Sequence, residues 1–155
     1  MIYSLSGRLV HTEPALMVIE CGGVGYACRT TYNTLSAVGE IGSEVTVFTV
    51  MSVRQDAVEL FGFADNEELS CFKMLTTVTG VGAKAALSIL SDNTPERFAM
   101  LVASGDSKAL TRSPGIGNKI AQRIVLELKD KIAREAKADT SGGSALPASA
   151  VGNNA

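Results

Sequence analysis

Lys84 and Lys119 each stand two residues behind the second glycine of a Gly-x-Gly turn. The two stretches are Val78-Thr79-Gly80-Val81-Gly82-Ala83-Lys84 and Ser113-Pro114-Gly115-Ile116-Gly117-Asn118-Lys119. This pattern suits the holding of a phosphate. Glycine lets the backbone turn sharply and leaves room for another group to come close. A helix starting there offers free N–H groups and the positive end of its dipole to a phosphate oxygen. The lysine adds a full charge for the same group. Arg123, one turn past Lys119, can reach that phosphate or lie along a solvated helix face. Asn118 can donate to it or simply begin the helix. One Gly-x-Gly is also an ordinary turn in a helical bundle. Its repetition with lysine at a fixed offset argues for the phosphate.

Nothing comparable points to catalysis. His11 is the only histidine and reads as unpartnered, so no Ser/His/Asp or Cys/His set is expected, and no metal-ligand cluster is in sight. Cys21, Cys28 and Cys71 are odd in number and form no Cys-x-x-Cys pair. They read as reduced, mostly buried thiols. No Gly-x-x-x-x-Gly-Lys-Ser/Thr loop is present, so no ATPase is expected. The adjacent carboxylates Glu67 and Glu68 read as first-turn helix charges, and a metal-dependent nuclease built on them is the competing reading. Asp92 is poorly placed to be the acid of a glycosylase that carries such turns. No catalytic residue, metal or cofactor is expected.

The two turns belong to a longer repeat with a shift of 35 residues. Lys73 meets Lys108, Leu75 meets Leu110, Thr76 meets Thr111, Ala86 meets Ala121 and Ile89 meets Ile124. Self-similarity at this period marks a duplicated supersecondary unit. Each unit reads as helix, tight turn, helix: a helix-hairpin-helix whose central apolar residue (Val81 or Ile116) points into the core. The preceding helix has Asp65 or Asn66 as its cap and buries Leu69, Phe72 and Leu75. Thr94-Pro95 starts another helix, with Phe98, Leu101 and Val102 as its buried stripe. A short helix over 108–112 opens the second hairpin. The last helix spans about 118–137 with Ile120, Ile124, Leu128 and Ile132 in one stripe and Glu127 set to pair with Lys131.

Residues 1–63 follow a different grammar. Segments 2–10, 15–19, 24–28, 45–53 and 58–63 alternate or run apolar as strands, and Gly22-Gly23 is a hairpin turn signal. Five strands in so short a stretch favour closure into a small barrel of the oligonucleotide-binding type, because closure removes exposed edges. A half-open sheet covered by a helix is the alternative. From Asp139 onward, small polar residues, Gly and Pro read as a flexible linker or tail. The expected class is therefore α+β: a barrel over 1–63, an all-α tandem helix-hairpin-helix domain over 64–138, and a tail over 139–155.

The 155 residues carry a formal net charge of −2, which at first argues against nucleic acid. The distribution matters more. Residues 1–64 hold three bases and six acids, whereas residues 72–137 hold eleven bases and six acids. Arg29 and Arg54 in the barrel can touch DNA, although an ordinary surface charge is the simpler reading of either alone. The chain has no apolar run of membrane-spanning length and no secretory leader, so no membrane association and a cytoplasmic location are expected. Only 5% of residues are aromatic, which leaves few stacking platforms for a single-strand-binding module, the third reading.

These features together resemble the RuvA family of bacterial Holliday-junction branch-migration subunits. The likeness covers nearly all of residues 1–137. It is carried by Ile19-Glu20-Cys21-Gly22-Gly23-Val24-Gly25-Tyr26, Val53-Arg54-Gln55-Asp56-Ala57, Leu60-Phe61-Gly62-Phe63, both hairpins and Glu127-Leu128-Lys129-Asp130-Lys131. The resemblance implies a homotetramer holding a four-way DNA junction open and planar, in some cases between two tetramers. It further implies a hexameric ATPase, RuvB, that pumps the arms, and RuvC, which resolves the junction. It assigns phosphate binding to Gly80, Val81, Gly82 and Lys84, and to Gly115, Ile116, Gly117, Asn118, Lys119 and Arg123. It also places Gln55 and Asp56 at a hairpin tip near the junction centre, where acidic side chains repel phosphates. The family commonly has two acids there; Gln55 halves that charge. The family's C-terminal helical domain, which contacts the ATPase, has no counterpart in this sequence. The favoured reading is a piece of a longer protein, able to bind junctions but a poor recruiter of the motor.

Overall fold

The structure, a computed structural model, describes residues 1–141, with side-chain surroundings through residue 138. Five strands come first: β1 (Ser4–Glu13), β2 (Leu16–Cys21), β3 (Val24–Arg29), β4 (Glu44–Val53) and β5 (Val58–Phe63). They close into a barrel in the order β1-β2-β3-β5-β4. Gly22 and Gly23 both hold positive φ (58° and 86°), the backbone of the tight β2–β3 hairpin that this pair was expected to make. β3 lies parallel to β5 with Arg29 opposite Phe61, and β1 closes on β4 with Leu5 opposite Val47. The closure leaves no room at Gly7, where a Cβ would stand 2.1 Å from the Glu20 carbonyl oxygen. Inward residues Leu5, Leu9, Met17, Ile19, Cys28 and Val47 fill the barrel.

One element has no forerunner in the sequence pattern. Helix α1 (Tyr32–Val38) sits between β3 and β4 and is capped by Thr31, whose hydroxyl accepts from the Thr34 N–H. Six helical elements are described in all: α1, then α2 (Asn66–Thr76), α3 (Ala83–Asp92), α4 (Pro95–Ala103), α5 (Ser107–Leu110) and α6 (Asn118–Ser141). Asp65 and Thr94 cap α2 and α4, and Pro95 opens α4, as the local residue types dictate. Asp106 caps the single turn of α5, which ends at Leu110 rather than running to residue 112. Helix α6 continues through Ser141; the remainder of the segment read as a tail lies outside the described residues.

Strand gives way to helix between Phe63 and Asn66, yet packing runs straight across. The rings of Phe61 and Phe63 each lie 5.0 Å from the ring of Phe72 on α2. From there one buried cluster extends through Leu75, Ile89, Leu90, Phe98, Leu110, Ile124 and Leu128. A polar knot reinforces this seam. Glu68, 4% exposed, accepts hydrogen bonds on Oε1 from the hydroxyls of Thr31 (2.8 Å) and Thr34. Thr34 Oγ1 accepts in turn from the Ala64 N–H, and Thr30 Oγ1 donates to the Gly62 carbonyl. Glu68 is therefore turned inward, not presented as a surface charge of the first turn. Burial raises its carboxyl pKa, opposed by the two hydroxyls. Helix α1 also docks on α3: Asn33 Nδ2 donates to the Leu90 carbonyl at 2.6 Å, and the Tyr32 N–H donates to Ser91 Oγ at 3.1 Å.

All three cysteines are free; Cys28 is buried, Cys21 and Cys71 are half-buried. Burial pushes the Cys28 and Cys71 thiols up to about 12, so both stay protonated and unreactive near neutral pH. No described helix is long and apolar enough to cross a membrane.

Candidate nucleic-acid interface

The two hairpins repeat bond for bond. In the first, the N–H groups of Val78 and Val81 donate to the carbonyls of Leu75 (3.1 Å) and Val78 (3.0 Å). In the second, Ser113 and Ile116 donate to Leu110 (3.2 Å) and Ser113 (3.2 Å). Gly80 and Gly115 hold φ of 89° and 83°, a region that side chains strain to enter. Val81 and Ile116 are buried, locking each loop onto the core as their position between the glycines predicts.

The second glycine of each turn has a different reason to be glycine. Gly82 is extended (φ −89°, ψ 179°), a conformation open to any residue, and a Cβ there meets nothing within 4 Å. A Cβ at Gly117 is equally unobstructed. The carbonyls of Gly82 and Gly117 accept from the N–H groups of Ala86 (3.1 Å) and Ala121 (3.0 Å), so both stand at the same place before a helix. Helices α1, α2, α4 and α5 each have a side chain covering a first-turn N–H; α3 has none. The missing side chain leaves the start of α3 open to an outside acceptor.

Lys84, Asn118, Lys119 and Arg123 are all exposed. Arg123 Nε lies 3.4 Å from Glu127 Oε1, so its charge is partly neutralised. The expected Glu127–Lys131 pair does not form. Lys131 instead reaches Thr77 Oγ1 (3.4 Å), and Ser88 Oγ donates to the Pro114 carbonyl (2.8 Å). These two contacts tie the hairpins to each other. Ser113 Oγ is buried without a hydrogen-bond partner.

A groove of about 980 Å³ separates the first hairpin from the barrel. Thr76, Gly82 and Lys84 from the first hairpin and Arg29, Arg54 and Glu59 from the barrel line it. Glu59 takes both arginines: Arg29 Nε reaches Oε1 and Arg54 Nη2 reaches Oε2, each at 3.2 Å. Sequence reasoning missed Glu59. The parallel β3–β5 pairing, invisible in local pattern, brings it beside Arg29. The residues of the second hairpin do not line this groove.

Gln55 and Asp56 form the tip of the β4–β5 hairpin. The Arg54 N–H donates to the Ala57 carbonyl at 2.7 Å, closing a two-residue turn with both side chains exposed. Glu67 and Glu68 give no metal cluster: among the described residues no three His, Cys, Asp or Glu side chains gather as ligands.

Comparison with known proteins agrees with this architecture. A family model described as the RuvA N terminal domain matches residues 1–62, and one described as a SAM-like helix-hairpin-helix tandem matches residues 72–130. The Holliday junction branch migration complex subunit RuvA of Acetivibrio thermocellus is 49% identical over 135 residues, which is 87% of this chain and 67% of the relative. The subunit of the same name from Chloroflexus aggregans is 45% identical over 132 residues, 85% of this chain and 68% of that one. The one from Chromobacterium violaceum is 44% identical over 143 residues, 92% of this chain and 73% of the relative. A closed five-stranded barrel fused to two matched helix-hairpin-helix units, with this identity across both, places the chain in the RuvA family.

Proposed function

We propose that this protein binds four-way DNA junctions without chemistry of its own, holding them open and planar while a partner ATPase drives branch migration in recombination and repair. The observation that carries the reading is the pair of matched hairpins, each with an open second glycine and a lysine two residues on, tied together on one face. Two such grips suit two neighbouring phosphates of one duplex arm. The N–H groups around Gly80, Val81 and Gly82 and around Gly115, Ile116 and Gly117 hold phosphate oxygens, aided by Lys84, Asn118, Lys119 and Arg123. Such contacts position DNA without reading its sequence, so binding is structure-selective and salt-sensitive.

Junction specificity then comes from repetition around an axis. Four copies in a tetramer, or two tetramers facing each other, each take one arm. Gln55 and Asp56, exposed on a two-residue turn, stand near the centre, where the Asp56 carboxylate repels phosphates. RuvB as the hexameric motor and RuvC as the resolvase are the partners this arrangement serves, in the cytoplasm. The buried, doubly hydrogen-bonded Glu68 speaks against a nuclease centred on Glu67 and Glu68.

A gel shift comparing a four-way junction, a linear duplex and a single strand tests the reading, with Mg²⁺ included to reveal cleavage. The junction is expected to bind most tightly and to remain intact. Equal affinity for junction and duplex would reject the proposal, and cleavage lost in Glu67→Ala would replace it with the nuclease.

A further inference from the structure

The two hairpins share a backbone but not their charges. The positions of Arg112, Asn118 and Arg123 in the second hairpin correspond to Thr77, Ala83 and Ser88 in the first. The first hairpin thus carries Lys84 without either arginine, and only Lys131, borrowed from α6, reaches its Thr77 position, whereas the second carries Lys119 together with Arg112 and Arg123. In the same groove as Lys84, however, the barrel presents Arg29 and Arg54, both held by Glu59.

We propose that Glu59 is a positioning residue for DNA binding: it braces Arg29 and Arg54 as a fixed pair, so that the barrel supplies the first hairpin with the phosphate-binding cations its own sequence lacks. The inference rests on the proposed DNA-binding function and assigns a role to a residue that does not itself touch DNA. Three features carry it. Each arginine spends only one edge on Glu59: Nε for Arg29 and Nη2 for Arg54. The remaining donors of each guanidinium stay available for a phosphate. The glutamate side chain is 27% exposed, whereas the arginine side chains are 57% and 64% exposed, so the carboxylate lies beneath the cations rather than over them. The trio retains one positive charge, which adds to that of Lys84 in the same groove.

The brace works through entropy. A long exposed arginine loses rotamer freedom when it meets a phosphate, and that loss weakens binding. A carboxylate that already accepts from both guanidiniums removes much of this freedom before DNA arrives. The opposite role, a carboxylate that merely masks the arginines, makes an opposite prediction, because deleting a negative charge beside a phosphate groove should then tighten binding.

The test compares Glu59→Gln, Glu59→Asp, the Arg29→Ala/Arg54→Ala pair, and that pair combined with Glu59→Gln. Affinity for junction and for duplex is measured across a salt series, and a thermal melt of each variant verifies folding. The brace predicts that Glu59→Gln weakens DNA binding about fivefold despite the gain in net positive charge, and lowers the log–log salt slope by about one. Glu59→Asp, which keeps the charge but is one methylene too short to span both arginines, should behave like Glu59→Gln. In the Arg29→Ala/Arg54→Ala background, Glu59→Gln should no longer weaken binding. Unchanged or tighter binding by Glu59→Gln, or an Asp variant indistinguishable from wild type, overturns the brace. The variants can be compared on either DNA. A wild-type protein without junction preference would therefore sink the junction reading while the variants still decide the role of Glu59. A wild-type protein that binds neither DNA would sink both.

Discussion

The first hairpin is set beside the barrel, and the second is set among the helices. Helix α1 docks on α3, the Glu68 knot fastens α2 to the barrel, and Val81 and Gly82 of the loop line a groove. The second hairpin has no such frame. Its repeat counterpart of Glu68 is Ala103, and its loop is tied back through Pro114 to Ser88. The backbone of the motif is nonetheless the same in both. A helix-hairpin-helix therefore fixes the shape of the turn, while its surroundings decide which charges stand beside it.

The largest effects should come from the lysines. Lys84→Ala and Lys119→Ala are each expected to weaken junction binding about tenfold at ~0.15 M salt and to lower the salt slope by about one, and the double variant should lose the shifted band. Equal single losses mean that both hairpins grip. A loss confined to one variant would show that the other copy is a structural duplicate only.

The glycines divide the same comparison within one loop. Gly80→Ala forces a side chain into positive φ and should cost about 1–2 kcal/mol of stability, read as a lowered melting temperature. Gly82→Ala meets no neighbour and should cost less than about 1 kcal/mol, yet its methyl group stands where a phosphate would approach, so it should weaken DNA binding. A reversal of the two phenotypes would mean that the open side of Gly82 is not a contact surface.

The seam at Glu68 is expected to be pH-sensitive. Its carboxyl pKa is raised above the ordinary 4.5, mainly by burial. A raised acid contributes stability while neutral, and loses it as pH rises through the folded-state value. Thermal melts from about pH 4 to about pH 8 should therefore show wild type losing stability relative to Glu68→Gln, whose amide carbonyl can still accept from the threonines and does not ionise. Parallel melting curves would mean that Glu68 stays in one protonation state across the range. The smallest effect belongs to Ser113, whose hydroxyl is buried and unpartnered where the first hairpin has Val78. Ser113→Val should be neutral or stabilising by up to about 1 kcal/mol. A clear destabilisation would show that the second hairpin needs that hydroxyl.

Much of this could be read along the chain. The repeat exposed both hairpins because its matched residues are those that turn, bury or cap: Leu75 and Leu110, Gly80 and Gly115, Val81 and Ile116. Asp65, Thr94 and the Gly22-Gly23 pair announced their caps and turn by local chemistry. What stayed hidden depends on pairs far apart in sequence. Helix α1 is two turns long, has only Leu35 and Val38 as its apolar side, and is held by Asn33 and Thr34 bonding to residues 30–60 positions away. Glu59 looked like one more strand charge until β3 was laid against β5. Residue 64 marks a change of pattern, but Phe61 and Phe63 bury their rings on the helical side of it. Resemblance, not local pattern, singled out Gln55 and Asp56.

The most direct measurement is the affinity ratio of wild-type protein for a four-way junction over a linear duplex with the same arm length, in one salt series. If matched hairpins from several copies engage the arms together, the junction should bind about 100-fold or more tightly, with a steeper salt dependence. A ratio near one, with equal slopes, would contradict the account.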